Sequence, residues 1–327
     1  MADVAREAGV STITVSRLLR QPDLVTGATR ERIERAMAEV GYVPNLIAGG
    51  LAATRTQVVA AIVPYIQHGV FADAVQGLSD ALAPAKHCVL LGNSGGSMEE
   101  EEAIVRTLLG HRPAGLVIQG ANHTAQTRKL LEKAHIPVVE MGSLPDDPID
   151  CCVGYSNRDA AFAMTRRLLE RGRRRIGFVC AQPAGNDRHA LRLAGYRAAM
   201  EELGPGFDER VVHITRFGIP QGRKALGRLL DAEPALDAVF CASDLWAAGA
   251  VYECVRRKIA VPDTIAVCGF NDQEFAAEMT PSLTTIRVRR REIGFMAGDL
   301  ILARIAGREV PATRIDVGFE LIERQSG

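Results

Sequence analysis

From Val58 onward the chain repeats one unit, an apolar strand followed by an amphipathic stretch of helix length, and this alternation narrows the possible folds sharply. The strands read VVAAIV, CVLLG, GLVIQ, PVVEM, RIGFVC, AVFC and IAVCGF. Runs that are apolar on both faces belong to parallel strands buried under helices on both sides of a sheet. The 270 residues from Val58 to Gly327 are too many for one such sheet. The expectation is therefore an α/β core of two lobes with parallel sheets, with SNRDAAF (156–162) as a crossing point between them.

The first 45 residues have another texture, that of three short helices in a small all-α head. VAREA supplies the first, Gly9 breaks it, Ser11 caps the second, and Thr26 opens a third that runs to Gly41. In the third, Ile33, Ala36, Met37 and Val40 recur at helical spacing. The second contains TITV, poor helix material because β-branched side chains lose χ1 freedom. Its spacing is helical all the same: Val15, Leu18 and Leu19 share one arc with Thr14, which predicts the buried face. Thr12, Ile13, Ser16, Arg17 and Arg20 share the opposite arc. Small Ala5, Gly9 at the turn and the pair Val15 and Leu18 suit a helix-turn-helix. Its outward arc then offers hydroxyls and guanidinium groups to phosphates and base edges, and Ile13 to a thymine methyl. A plain helical hairpin with a solvated face fits the same residues.

Charge adds little. Lys plus Arg equal Asp plus Glu at 39 each, and residues 1–60 carry seven Arg against six acids, so any electrostatic footprint is local. Between head and core lies PNLIAGGLAATRTQ (44–57), where Leu51 is flanked by Gly49, Gly50, Ala52 and Ala53. Two interior glycines cost about 1 kcal/mol each in a helix. The segment is thus either a flexible tether or a helix that forms on docking, with Leu51 as a wedge for a minor-groove base step.

The core shows no sign of an enzyme. GNSGGS (92–97) follows a strand and precedes a helix but matches no phosphate-loop pattern, and Glu99 to Glu102 in the next helical turn would repel a phosphate. It reads as a capped loop. G-x-S-x-G is absent, and His68, His87 and His135 fall near strand edges and loops, where structural or surface roles are usual. The seven cysteines show no C-x-x-C pair and no zinc spacing, so they are expected to be reduced thiols, with Cys180, Cys241 and Cys268 inside strands. No metal and no cofactor is expected. RRLLERGRRR (166–175) straddles a helix C-terminus and Gly172, and reads as a solvated basic surface or an auxiliary DNA or partner contact. No apolar run reaches the roughly 18 residues of a membrane span, and MADVAREAGV lacks a signal-peptide core, so a cytoplasmic protein without membrane association is expected.

DVAREAGVSTITVSRLL (3–19), VTGATRERIERAMAEVGYVPN (25–45) and IAGGLA (47–52) together resemble the lactose/galactose repressor family of bacterial transcription factors. RLAGYRAAM (192–200), LDAVFCASDLWAAGA (236–250), VPDTIAVCGFND (261–272) and LTTIRV (283–288) extend the resemblance along nearly the whole chain. IPVVE (136–140), AVYECVRRKIAVPD (250–263) and ILARIAGRE (301–309) are most similar to the gluconate-operon repressors within it.

The resemblance implies a helix-turn-helix domain over 1–45, a hinge over 46–57, and an effector-binding and dimerisation domain over 58–327 resembling periplasmic sugar-binding proteins. Lobe 1 would take about 58–156 and 287–316, lobe 2 about 157–286 and 317–327. It further implies a homodimer on a palindromic double-stranded DNA operator, half-sites about one helical turn apart. Thr12, Ile13 and Arg17 would face major-groove bases, Ser16 and Asn45 the backbone, and Leu51 the minor groove. A sugar or sugar-acid effector, gluconate first, would lie between the lobes. Its matching positions are Tyr65, Val70, Phe71, Glu140, Arg192, Phe217, Ser243, Asp244, Asn271 and Arg287. Aromatics would cover the carbon chain, Asp, Asn and Ser would hold hydroxyls, and Arg192 with Arg287 would clamp a carboxylate. The effector would act as inducer, or as co-repressor with the same parts. Ser243 and Asn271 depart from the Asn and Asp usual in the family. A solute-binding protein or an α/β enzyme such as a kinase or dehydrogenase is the competing class.

Overall fold

The computed structural model describes residues 1–43, 56–310 and 312–327. The chain divides into a unit of Met1–Thr56 and one of Gln57–Gly327.

In the smaller unit, α1 (Ala2–Glu7) ends before Gly9, whose φ of 63° is a left-handed turn open to glycine. Helix α2 (Thr12–Arg20) starts where the Ser11 hydroxyl accepts the Thr14 amide at 3.1 Å. A short turn over Pro22–Leu24, held by Arg30 donating to the Pro22 carbonyl at 2.8 Å, leads to α3 (Gly27–Val40). Val4, Ala5, Ala8, Val15, Leu18, Val25, Ile33 and Ala36 form one core. Burial of this stripe is what makes a helix of TITV tolerable. Two of the expected buried positions are not buried: Leu19 is 39% exposed and Val40 is 42% exposed. Each lies on the last turn of its helix, beyond the reach of the opposing one. Thr26 stands at the N-cap of α3, where its carbonyl accepts the Thr29 and Arg30 amides, but its hydroxyl caps no amide and donates instead to Thr29 Oγ1 at 3.0 Å.

The larger unit contains two parallel sheets. The first is built from β1 (Val58–Val63), β2 (Cys88–Asn93), β3 (Gly115–Gln119), β4 (Val138–Met141), β5 (Cys151–Gly154) and β11 (Arg314–Asp316), in the order β11-β5-β4-β3-β1-β2. Val59 pairs with Val89 on one side and Gly115 on the other. The second sheet holds β6 (Ile176–Cys180), β7 (Val212–Ile214), β8 (Ala238–Cys241) and β9 (Ala266–Cys268), in the order β7-β6-β8-β9. A small antiparallel pair, β10 (Thr285–Arg287) with β12 (Glu320–Ile322), completes the strands. Both sheets reverse strand order beside their first strand. In open α/β sheets that reversal opens a crevice at the carboxyl ends of the strands.

The chain leaves the first sheet after β5 and enters α7 (Asn157–Glu170), returns to it through α12 (Arg290–Ile305) and β11, and leaves again into β12. The linking segments are therefore Tyr155–Ser156, 288–289 and 317–319. Helix α12 packs on α4 (Gly69–Leu82), and here two glycines set the distance. A Cβ on Gly294 would sit 1.8 Å from the Ala74 carbonyl oxygen, and one on Gly77 would sit 2.0 Å from that of Arg291. Two backbones are thus in direct contact.

The run 166–175 is a solvated face, as expected, but its arginines are largely paired. Arg167 and Arg171 both hold Glu323, at 2.7 and 2.5 Å, and Arg173 donates to the Pro262 carbonyl at 2.5 Å. Arg175 pairs with Asp208 and Glu233, while Asp237 accepts the Arg174 and Arg175 amides. The arginines tie the end of α7 to distant loops. All seven cysteines are free thiols; Cys88 is exposed, and burial pushes Cys180 and Cys268 up to about 12. No described helix is long and apolar enough to cross a membrane.

Gly294→Ala is expected to destabilise the core by on the order of 3 kcal/mol, because a backbone carbonyl has no rotamer by which to yield. Equilibrium urea unfolding of the variant against Ala297→Gly, a nearby change on the same helix that adds no atoms, measures it.

Candidate functional site

The outward arc of α2 is a set of side chains the small core leaves over. Thr12, Arg17 and Arg20 are exposed, Ile13 is 68% exposed, and Ser16 is half-buried. An isoleucine this bare on a capped helix adds nothing to the core beneath it. Asn45 and Leu51 lie outside the described residues.

In the larger unit a cavity of about 750 Å³, counted with its open mouth, lies at the carboxyl ends of both sheets. Its wall is made of residues that follow directly on strands: Tyr65 after β1, Gln119 at the end of β3, Gly142 after β4, Phe217 after β7, Ser243 after β8 and Asn271 after β9. Parallel strands end together, so residues distant in sequence converge here. Phe71 and Val70 come from the first turn of α4, and Arg188, His189 and Arg192 from α8 (Asp187–Leu203).

One wall is aromatic. Phe217 packs against Tyr65 at 5.8 Å and His68 at 5.0 Å between ring centroids, and stacks on Trp246 at 4.6 Å. Trp246 is fully buried and donates its indole N–H to the Arg216 carbonyl, so it fixes the platform behind Phe217. His189 stands on edge against both rings at 5.5 Å. Burial, helped by Arg192 and Arg188, holds it well below its ordinary pKa, so the ring is neutral. Its Nδ1 has no hydrogen-bond partner among the described residues.

The guanidinium of Arg192 is buried, 3.7 Å from the Phe270 ring centroid, and donates to Asn157 Oδ1, the Ala242 carbonyl and the Tyr155 hydroxyl at 2.8 to 2.9 Å. Asn157 in turn donates to the Gly142 carbonyl of the first sheet's end, at 3.0 Å. Asp187 makes a second bond between the sheets' ends. Its Oδ2 accepts the Ala121 amide at 3.1 Å and the Ser143 hydroxyl at 2.5 Å.

Of the ten expected effector positions, the cavity brings together Tyr65, Val70, Phe71, Arg192, Phe217, Ser243 and Asn271. Three others stand elsewhere. Glu140 points to the other face of its strand, where it accepts the Ile149 amide at 2.7 Å and faces His123 Nε2 at 3.5 Å. Strand alternation puts it with Val138 rather than Met141. Asp244 is buried beneath the cavity, accepting the Thr285 hydroxyl at 2.6 Å and the Gln273 amide at 2.7 Å. Burial pushes it up to about 7. Arg287 is turned outward to Asp272 at 2.7 Å and Glu320 at 3.5 Å, so it clamps nothing in the cavity. The lining residues that sequence reasoning missed include His68, Gln119, Tyr155, Arg188, His189 and Arg290. Most stand within a few residues of an element end, a signal that strand boundaries carry only once the strand order is known. Among the described residues no aspartate or glutamate lines the cavity.

Behind β4, His123 is almost fully buried, with Nδ1 2.7 Å from Glu101. Burial opposes its charge, but the hydrogen bond it makes to Glu101 and the nearby carboxylate charges of Glu101 and Glu140 outweigh that and hold its pKa at about 9. A raised histidine pKa stabilises the fold fully below about 6.5, and that gain is lost as pH rises through about 9. Urea unfolding at pH 6 and pH 9.5 is expected to differ by up to about 3 kcal/mol for this reason. His123→Gln should flatten that difference.

Comparison with known proteins places these two units together. Residues 1–45 match the model of bacterial regulatory proteins of the lacI family, and residues 165–327 that of the periplasmic binding protein-like domain. The chain is 37% identical to the HTH-type transcriptional regulator GntR of Pseudomonas aeruginosa, over 99% of this chain and 94% of that one. A LacI family transcriptional regulator from Silicibacter pomeroyi, known from its crystal structure, is 31% identical with a TM-score of 0.92, over 99% of this chain and 98% of that one. The transcriptional regulator CelR, solved as a complex with cellobiose, is 31% identical with a TM-score of 0.74, over 100% of this chain and 99% of that one. Head, core and relatives agree: this chain belongs to the lacI family of bacterial regulatory proteins and is a DNA-binding transcriptional regulator, not an enzyme.

Proposed function

We propose that the chain acts in the cytoplasm as a homodimer that represses a carbohydrate-utilisation operon, gluconate or a related sugar acid being the effector that releases it. The observation that carries this is the cavity. It offers an aromatic wall, hydroxyl and amide groups, and arginine, with no aspartate or glutamate among its described lining residues, which suits a polyhydroxy acid. A relative solved with cellobiose supports a carbohydrate in this fold.

On this reading Thr12, Ile13 and Arg17 read bases, Ser16 and Asn45 hold the backbone, and Leu51 of a hinge over 46–57 enters the minor groove. Homodimerisation pairs two heads for a palindrome, and a head of such low charge needs the second one. The exposed apolar side chains Leu90 and Leu91 on β2, and Tyr252 and Val255 on α10 (Asp244–Arg257), support a partner surface along the core. Effector binding and operator binding then oppose each other by one reciprocal coupling energy.

Fluorescence anisotropy with an operator-like palindrome tests the reading. Binding is expected to weaken steeply from 50 to 200 mM salt, as phosphate contacts require, and to weaken again on adding gluconate. Arg17→Ala should cost about 1–3 kcal/mol of operator affinity and leave effector affinity unchanged. Tighter operator binding with gluconate would make the effector a co-repressor, and no salt-dependent binding to any duplex would remove the repressor role.

A further inference from the structure

Three arginines line the cavity, and two of them are already spent. Arg192 donates to Asn157, Ala242 and Tyr155. Arg290 holds Asp73 through two bonds of 2.9 and 3.0 Å and also donates to the Asn271 carbonyl. Arg188 is different. Its nearest carboxylate is its neighbour Asp187, 3.7 Å away, and that aspartate's Oδ2 is taken by Ala121 and Ser143. The Arg188 side chain is 13% exposed, and its guanidinium stands 5.8 Å from the centroid of the Phe71 ring. Beside it is His189, 3% exposed and neutral, with the unpartnered Nδ1.

We infer that Arg188 is the residue by which this cavity selects its ligand, pairing with the single carboxylate of a polyhydroxy monoacid, and that a second acidic group has no place there. This rests on the cavity being the effector site. A planar guanidinium with free N–H groups in a half-dry wall is the side chain that best matches a carboxylate. The ligand's carbon chain then lies on the aromatic wall, where a second charge would be desolvated without a partner. Beyond Arg188 the adjoining cleft is lined by Glu101 and Asp187, already held by His123 and by Ala121 and Ser143, and its described lining offers a second carboxylate no cation besides Arg188. Because Asp187 pins the start of α8 to Ala121 and Ser143, Arg188 is in place only while those two bonds hold. Recognition of the charge is thereby tied to closure of the two sheets' ends.

Isothermal titration of the full-length protein with D-gluconate, neutral D-glucitol and the diacid D-glucarate tests this. Gluconate should bind at least about tenfold tighter than glucitol, as a charge-assisted pair requires, and glucarate no tighter than gluconate. Arg188→Met should bring gluconate and glucitol within about twofold of each other, while Arg188→Lys keeps part of the preference. Arg188→Gln serves if the methionine variant melts below the parent. A gluconate preference that survives in Arg188→Met or Arg188→Gln overturns the assignment of Arg188. Equal binding of glucitol and gluconate, or tighter binding of glucarate, overturns the ligand class while leaving the cavity as the effector site. Binding of none of the three, in protein that still holds operator DNA, overturns the effector reading together with this inference.

Discussion

The buried guanidinium of Arg192 is the joint on which the larger unit is organised. A desolvated charge survives only if its donors are matched, and burial pulls this one below its ordinary pKa while Tyr155 opposes that. Tyr155 and Asn157, two of its three acceptors, stand in or next to the first crossing between the sheets, and Ala242 ends a strand of the second. The same cation therefore fixes the crossing, the start of α7 and the rim of the cavity. Changing any one of these displaces the others.

Charge elsewhere is spent in the same local way. Equal numbers of acids and bases leave no net field, and the densest basic run is consumed in holding Glu323, Asp208, Glu233 and Asp237. Glu253 likewise sits under Arg256 and Arg257, which hold it at about 2 against the cost of its burial. Against this background a lightly partnered cation in a cavity wall is a different kind of object from the paired ones on the surface.

Much of the architecture was legible from periodicity. The seven strands named from apolar runs all occur, six of them because a strand buried on both faces must be apolar throughout, whereas β2 is an edge strand whose apolar side chains, Leu90 and Leu91 among them, stay largely exposed. The missed ones were β5, β7, β10, β11 and β12, each of three or four residues and too short to show a period. The cap at Ser11 and the core of Val15 and Leu18 were legible, whereas Leu19 and Val40 were not, since a helical wheel does not tell where the opposing helix stops. At the cavity, seven of the ten positions implied by the family resemblance line the wall. Glu140, Asp244 and Arg287 stand away from its lining for one reason. A charged side chain buried or paired within the fold looks the same in sequence as one that faces a ligand, and only Thr285, Ile149 and Asp272 show the difference.

The contact of α12 with α4 joins residues 290–305 to 69–82 through backbone at Gly294 and Gly77. Helix α12 also packs on β3, β4 and β5, so it seals part of the first sheet together with α4. As the chain leaves the ribosome, β1 to β5 emerge long before the helix that seals them, whereas the four strands of the second sheet follow one another without interruption. Neither lobe is complete until the end of the chain is made, since Ser326 bonds Val267 of the second sheet, and the apolar side of α4 stays uncovered while more than two hundred residues are made. Exposed apolar surface is a hazard during folding, so in this order of elements the interval before α12 emerges is the one in which α4 is most open to wrong contacts.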